Sequence, residues 1–93
     1  MFLELGQVVY SKCGRDRGTA YIVVGTFLES GKQYALLADG DRRRIEKPKK
    51  KKSMHIQPTK TVVQLCMNGE KGVLNAQVRK ILENEVRGIQ NSN

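Results

Sequence analysis

Two runs of alternating apolar and polar residues near the N-terminus predict the first two strands. In the runs over 6–12 and about 19–28, apolar side chains recur at every second position, so each run can bury one face. A polar GRDRG loop joins the runs, and its two glycines give the backbone the freedom that a turn needs. The pattern predicts a hairpin with Arg15 and Arg17 at its tip, and with Asp16 placed to orient one of them through a surface ion pair.

Apolar residues on either side of this hairpin extend the predicted core. Phe2, Leu3 and Leu5 precede it and are predicted to close one end of the fold. A third strand is predicted over 33–38, after a glycine-containing turn at 29–32. Both faces of this strand are apolar, which is typical of a strand near the middle of a sheet.

A basic segment follows the Asp-Gly turn signal at 39–40. Its alternation predicts a fourth strand over 42–46, with Ile45 as the one apolar residue that points inward. Successive side chains of a strand point to opposite faces, so Arg42 and Arg44 are then directed to solvent.

A lysine run comes next and is predicted to be a loop. Pro48 lacks an amide donor, and the neighbouring like charges of 49–52 repel one another, so this segment is a poor candidate for strand pairing. A short fifth strand is predicted over 54–57, ended by Pro58.

The C-terminal third changes its period. The apolar run 61–67 predicts an extra strand or an extended arm, and 75–87 predicts one amphipathic helix. Asn75 is the expected N-cap and Gly88 the expected stop. The helix is expected to dock on the sheet and complete a small core; binding a partner through the same apolar stripe is the alternative. The stripe consists of Leu74, Val78, Ile81, Leu82, Val86 and Ile89.

The first hairpin, GQVVYSKCGRDRGTAYIVVG over 6–25, resembles the KOW motif of ribosomal proteins and transcription elongation factors. The segment 41–59, which ends in His-Ile-Gln-Pro-Thr, is similar to the part that follows this motif in the L14e-type large-subunit ribosomal proteins of archaea and eukaryotes. Two departures are the dense lysine run and Gln57, where those proteins would have an acid. The resemblance implies a mainly β fold, an SH3-like small β-barrel (KOW domain) over about 5–59 with a C-terminal α-helix, and RNA binding.

Length and composition set outer limits. Ninety-three residues make a single small domain, 1–93, with a modest core. No long apolar run occurs, and the N-terminus lacks the basic region of a signal peptide, so we expect a cytoplasmic protein without a membrane segment. Cys13 and Cys66 are far apart and lack the spacing of a zinc or redox motif. Two reduced thiols are the expectation, and a disulfide or metal site is the alternative.

The positive charge is concentrated in one segment. The chain has 17 basic and 9 acidic residues, and eight basic residues and one acid lie between positions 42 and 52. Charge of this density attracts phosphate backbones and gives affinity that falls with salt, with little base specificity. A solvated loop or a localisation tag is the alternative interpretation of the lysine run.

Candidate catalytic groups do not converge in the sequence. The acids are scattered singly, and no Ser/His/Asp set, metalloprotease motif or phosphate-binding glycine loop occurs, so no enzyme activity is expected. His55 lies beside the basic segment, where it is able to stack on a base or donate to a phosphate. A purely structural role is the alternative. Tyr10, Tyr21 and Tyr34 lie in alternating strand patterns and are expected to pack, although any that faces outward becomes a stacking candidate.

The sequence therefore predicts a small RNA-binding module that acts on ribosomal or other structured RNA. Arginines are expected to hold phosphates in fixed geometry, and the lysines to add a flexible field. No cofactor, metal, membrane or small-molecule substrate is expected; ribosomal proteins are further candidate partners. The alternative is an adaptor that docks a ribosomal or transcription protein through the barrel or helix. The predicted RNA-binding residues are Lys12, Arg15, Arg17, Arg42, Arg43, Arg44, Lys47, Lys49, Lys50, Lys51, Lys52 and His55.

Overall fold

Five antiparallel strands followed by one helix form the fold. The structure is a computed structural model that describes residues 3–65 and 71–91. The mainly β class with a C-terminal helix is therefore confirmed. The elements are β1 (Gln7–Ser11), β2 (Ala20–Glu29), β3 (Lys32–Ala38), β4 (Lys49–Lys52), a 3-10 turn (Ser53–His55), β5 (Ile56–Val62) and α1 (Lys71–Asn91).

The strands lie in the order β4-β3-β2-β1-β5, and every neighbouring pair is antiparallel. β4 pairs only with β3 and β5 only with β1, so these two strands are the edges of the sheet in the described residues. The predicted SH3-like barrel is not closed: the 3-10 turn carries the chain from one edge strand to the other, and no ladder joins these two strands in the described residues. The assignment to the KOW family stays a prediction.

The hairpin between β2 and β3 turns where it was predicted. Glu29 pairs with Lys32, which leaves Ser30 and Gly31 as the two turn residues. Both have positive φ, at 52° and 76°, the conformation of a two-residue turn whose twist matches the flanking strands. Glycine adopts it without a steric penalty, whereas Ser30 adopts it at a steric cost of about 1 to 2 kcal/mol.

Each face of the sheet carries its own apolar core. On the inner face, Leu3 covers one end of a cluster that runs from Val9 through Tyr21 to Leu37. On the opposite face, which we call the helix face, Val8 and Ile22 pack against α1. The helix therefore docks on the sheet as expected, and its buried stripe consists of Leu74, Val78 and Leu82.

The fourth strand is the lysine run. The predictions of a strand over 42–46 and of a loop at the lysine run are therefore both wrong. Lys49–Lys52 pairs with β3 over its whole length. Side chains alternate between faces along a strand, so neighbouring lysines point apart and their repulsion is reduced. Residues 42–46 instead form turns. Asp39 closes them, because its Oδ1 accepts from the amides of Asp41 and Arg43, at 2.9 Å each.

The fifth strand is longer than predicted. Ile56–Val62 continues through Pro58, which is tolerated because β5 is an edge strand and has a ladder on one side only. The run 61–67, predicted as an extra strand or an extended arm, is not a separate strand, since 61–62 end β5 and 63–65 are not in a strand. Val63 and Leu65 pack against the helix-face cluster, which agrees with the extended-arm alternative. Residues 66–67 lie outside the described residues.

The helix is also longer than predicted, beginning at Lys71 and continuing past Gly88. Asn75 is not its N-cap: it lies inside the helix and is fully buried. Its side-chain oxygen accepts a hydrogen bond from the Ile45 amide, and its NH2 group donates to the Glu46 carboxylate. Several predictions fall outside the described residues, namely those for Phe2, Cys66 and the break at 68–69. No helix in the described part of the chain is long and apolar enough to cross a membrane.

Candidate nucleic-acid interface

The carboxylate of Asp16 holds the GRDRG tip against the sheet. It accepts hydrogen bonds from Ser11 Oγ and from Tyr21 OH, both at 2.9 Å. It also forms ion pairs with Lys49 at 2.9 Å and with Lys51 at 3.0 Å. The predicted ion pair between Asp16 and a neighbouring arginine is therefore wrong. The inner-face lysines of β4 reach this carboxylate first, because alternation directs both toward it.

Asp16 is a charged group in a largely desolvated position. Its side chain is 14% exposed and that of Lys51 is 10% exposed. Burial alone raises the pKa of Asp16, but the hydrogen bonds from Lys49, Lys51, Tyr21 and Ser11 outweigh it and hold that pKa well below its ordinary value. Burial, and then the hydrogen bond to Asp16, raise the pKa of the Tyr21 hydroxyl. The carboxylate is thus ionised and the phenol neutral across the physiological range.

The arginines of the tip remain available. Arg15 and Arg17 are exposed, and among the described residues neither guanidinium forms an ion pair. The loop that carries them is fixed by its own backbone: the Arg17 amide donates to the Gly14 carbonyl, and the Gly18 amide donates to the Ser11 carbonyl at 2.8 Å. Gly14 and Gly18 both have positive φ, which glycine adopts at no steric cost. Rigid backbone with unpaired guanidinium groups is suited to binding phosphate.

A second arginine loop lies beside the tip and is held by the helix. Arg42 and Arg43 are exposed and also lack ion pairs within the described part of the chain. Asn75 Oδ1 accepts from the Ile45 amide at 2.8 Å, and Arg79 Nη1 donates to the Gly40 carbonyl at 2.6 Å. The helix therefore fixes both ends of the loop.

The two loops enclose a cleft of about 510 Å³, which we call the tip cleft. Four cationic side chains meet there from three separate segments, together with three carboxylates. Asp16 and Asp39 accept hydrogen bonds within the fold, and the exposed Asp41 forms no ion pair with the described residues. Such a cleft has the volume of a small ligand site, and its lining has a net positive charge of one, from four cations and three carboxylates. Its lining consists of Arg15, Asp16, Thr19, Tyr21, Asp39, Asp41, Arg42, Arg43 and Lys49.

The helix-face lysines of β4 lie on the other side of the sheet. Lys50 pairs with Glu29 at 3.2 Å, and its Nζ lies 4.7 Å from the ring centroid of Tyr34. Lys52 is opposite Tyr34 in the register. The predicted flexible lysine field is wrong for Lys49, Lys50 and Lys51, because each has a specific partner.

The remaining predicted site residues are spread around the fold. Arg44 is exposed and pairs with Glu46 at 3.3 Å, and Lys47 is exposed in the same turn. Lys12 is exposed just after β1, and its amide donates to the carbonyl of His55 at 2.9 Å. His55 is half-buried in the 3-10 turn. These four residues do not line the tip cleft, and neither do Arg17 and the lysines 50–52.

Sequence reasoning missed three groups that organise this surface. The sequence pattern assigns Asp16 to the arginines and not to the lysines, and it assigns Asn75 to a helix cap. It does not single out Phe27, although this residue stacks on Tyr34. A local signal exists only for Phe27, as an aromatic residue near the end of a strand, because Lys51 lies 35 residues from Asp16 and Ile45 lies 30 residues from Asn75.

No metal-binding cluster of three or more His, Cys, Asp or Glu occurs among the described residues. Cys13 is a free, half-buried thiol, and Cys66 lies outside that part of the chain. No protein-family model matches the chain, and the comparison with curated proteins gives no match either. The fold defines a small, mainly β protein with a C-terminal helix, and the function is inferred from the site.

Proposed function

We propose that this protein binds RNA, with the tip cleft and the exposed arginines around it as the contact surface. The observation that carries the proposal is the pairing pattern of the charges. Arg15, Arg17, Arg42 and Arg43 are exposed without ion pairs in the described residues, while Asp16, one of the three acids that line the tip cleft, is occupied by two lysines. The guanidinium groups are thus left for an external anion.

The backbone around these arginines is ordered before a ligand arrives. Internal hydrogen bonds fix the GRDRG tip, and Asp39, Asn75 and Arg79 fix the second loop. A preorganised site loses less conformational entropy on binding, so each hydrogen bond to phosphate retains more of its free energy. Arginine also binds phosphate through two parallel N–H groups, which fixes the orientation of the nucleic acid.

RNA is favoured over other polyanions by the resemblance of the first hairpin to the KOW motif. We expect the protein to act in the cytoplasm, on ribosomal or other structured RNA, with ribosomal proteins as further partners. Its mechanism is binding and positioning, without catalysis. Affinity is expected to fall steeply with salt, because each phosphate contact releases counterions.

The double variant Arg15→Ala with Arg17→Ala tests the proposal. Affinity for a structured fragment of ribosomal RNA should fall, and the salt slope should decrease by about 0.7 to 0.9 for each phosphate that the variant no longer binds. Binding to heparin, which offers charge without nucleic-acid geometry, should fall less. The melting temperature should stay nearly constant, because neither side chain packs against the fold.

A matched control removes the same charge elsewhere. Lys60→Ala with Lys80→Ala changes two exposed lysines outside the tip cleft. If both double variants weaken RNA binding equally, the tip acts only through general electrostatics and the assignment of the cleft is wrong.

A protein-docking role is the second candidate. A groove of about 510 Å³ runs between α1 and the 39–41 loop, and Leu82 and Val86 form its apolar side. Val86 is 39% exposed, whereas Leu74 and Val78 are buried, so a docked partner would contact only the part of the helix stripe that lines the groove. Binding through apolar contacts is insensitive to salt, so a salt titration separates the two candidates.

A further inference from the structure

Two aromatic rings stack on the helix face, at the end next to the β2–β3 turn. Phe27 and Tyr34 are opposite each other in the strand register, with ring centroids 5.4 Å apart and planes inclined by 8°. Both side chains are half-buried. The helix packs on the other end of this face, around Val8 and Ile22. The pair therefore occupies a part of the sheet outside the apolar cluster that α1 covers.

The charge around the rings is positive. Lys50 Nζ lies 5.3 Å from the centroid of Phe27 and 4.7 Å from that of Tyr34. Lys52 is in register with Tyr34, and among the described residues Glu29 alone offsets these cations, through its pair with Lys50. That pair is about half exposed on both sides, so it contributes little and is readily exchanged for another anion.

Proteins that bind single-stranded nucleic acid combine aromatic rings with nearby cations. Any of the bases can stack on an aromatic ring, whatever the nucleotide sequence, and the adjacent cation contacts the phosphate. We infer that Phe27 and Tyr34, with Lys50 and Lys52, form a stacking site for an unpaired base of the bound RNA. The inference rests on the proposed function and adds the class of RNA: one with an unpaired segment next to the structured part held by the tip cleft.

The route between the two sites follows from the strand that links them. Lys49 lines the tip cleft on the inner face, and Lys50, the next residue, lies over the rings on the helix face. β4 is an edge strand, so no further strand in the described residues blocks passage across it. One RNA chain is thus able to contact the cleft and then cross β4 to the aromatic pair.

The test compares one RNA hairpin with and without a short single-stranded extension. The single-residue variant Tyr34→Leu should weaken binding of the extended RNA by about 5- to 150-fold and leave binding of the plain hairpin unchanged. Tyr34→Phe, which keeps the ring, should bind both RNAs as the unchanged protein does. Replacing the stacked nucleotide by an abasic one should produce the same loss without any change to the protein, which separates stacking from a folding defect.

Photocrosslinking locates the contact directly. An extension that carries 5-iodouridine should crosslink to Phe27 or Tyr34, as identified by mass spectrometry. Crosslinks elsewhere, or an equal effect of Tyr34→Leu on both RNAs, would overturn the inference while leaving RNA binding at the arginines intact. Absence of any RNA binding would overturn the proposed function itself. If Tyr34→Leu abolished binding to anionic phospholipid vesicles and left RNA binding unchanged, the aromatic pair would belong to a membrane-binding surface and the stacking site would be refuted.

Discussion

The charge of Asp16 should be a main determinant of stability, and Asp16→Asn is the change that tests it. The amide has nearly the shape of the carboxylate, so the substitution removes charge and acceptor capacity but little volume. In the structure this one side chain accepts from two lysine ammonium groups, a phenol and a serine hydroxyl. An asparagine offers one acceptor oxygen and a donor NH2 group, so at least one ammonium would face a donor.

The magnitude follows from burial. Breaking a buried ion pair costs about 3 to 5 kcal/mol because a charge is left without its partner. Lys51 is 10% exposed and cannot easily reach water, whereas Lys49 is 27% exposed and can turn outward. We therefore expect a loss near the lower end, about 3 kcal/mol, against about 5 to 14 kcal/mol for the whole domain. The melting temperature should fall by about 12 to 24 °C.

Urea unfolding followed by circular dichroism measures this loss, and Asp41→Asn is the matched control. Asp41 is an exposed acid whose carboxylate forms no ion pair with the described residues, so the same change in net charge should alter stability by less than about 0.5 kcal/mol. Equal stability of the two variants would refute the reasoning, because the Asp16 contacts would then contribute nothing beyond net charge.

The stability difference should also depend on pH in one direction. The folded-state pKa of Asp16 lies below that of the unfolded chain, about 3.9, so the unfolded state takes up the proton first. The advantage over Asp16→Asn is therefore fully present above about pH 5 and is lost as pH falls below about 4. A difference that grows on acidification would contradict a lowered pKa.

Three further changes test the packing of the helix and its loop. Leu82→Ala should cost about 2 to 5 kcal/mol in a thermal or urea melt, because Leu82 is buried against the sheet, while Val86→Ala at a 39% exposed site should cost much less. Gly40→Ala should destabilise more than Gly18→Ala. Both positions have positive φ, but a Cβ at Gly40 would overlap the backbone oxygen of Asn75, whereas Gly18 faces open space. Asn75→Ala should speed hydrogen exchange of the Ile45 amide, measured by NMR, because that amide would have no acceptor.

The first three strands were predictable because their signals are local. Alternating apolar residues define each strand, and the positive φ of Gly31 agrees with its place in the predicted turn. No predicted end of β1, β2 or β3 differs from the observed end by more than one residue. Nothing beyond the segment itself was needed to find them.

The fourth strand was not predictable because its stabilising contacts come from distant acids. Local repulsion between lysines argues against a strand, and only the folded chain shows that Lys51 meets a carboxylate 35 residues away and Lys50 one 21 residues away. Asn75 poses the same problem. A polar residue in an apolar stripe is interpreted locally as a cap, while its acceptor role toward Ile45 spans 30 residues.

The charge that is free to meet an anion is distributed differently from the formal charge. Lys49 and Lys51 share one largely buried carboxylate, so these two charges of the lysine run are engaged within the fold, whereas the exposed pair of Lys50 with Glu29 is weak. Neutralising the run would therefore leave Asp16 buried without cations and lower stability along with affinity, which makes it a poor probe of binding. The unpaired arginines, in contrast, form no ion pair in the described residues, so their removal should leave stability nearly unchanged. The salt dependence of RNA binding is accordingly expected to follow the arginines, and the lysines to set where the RNA is able to cross the sheet.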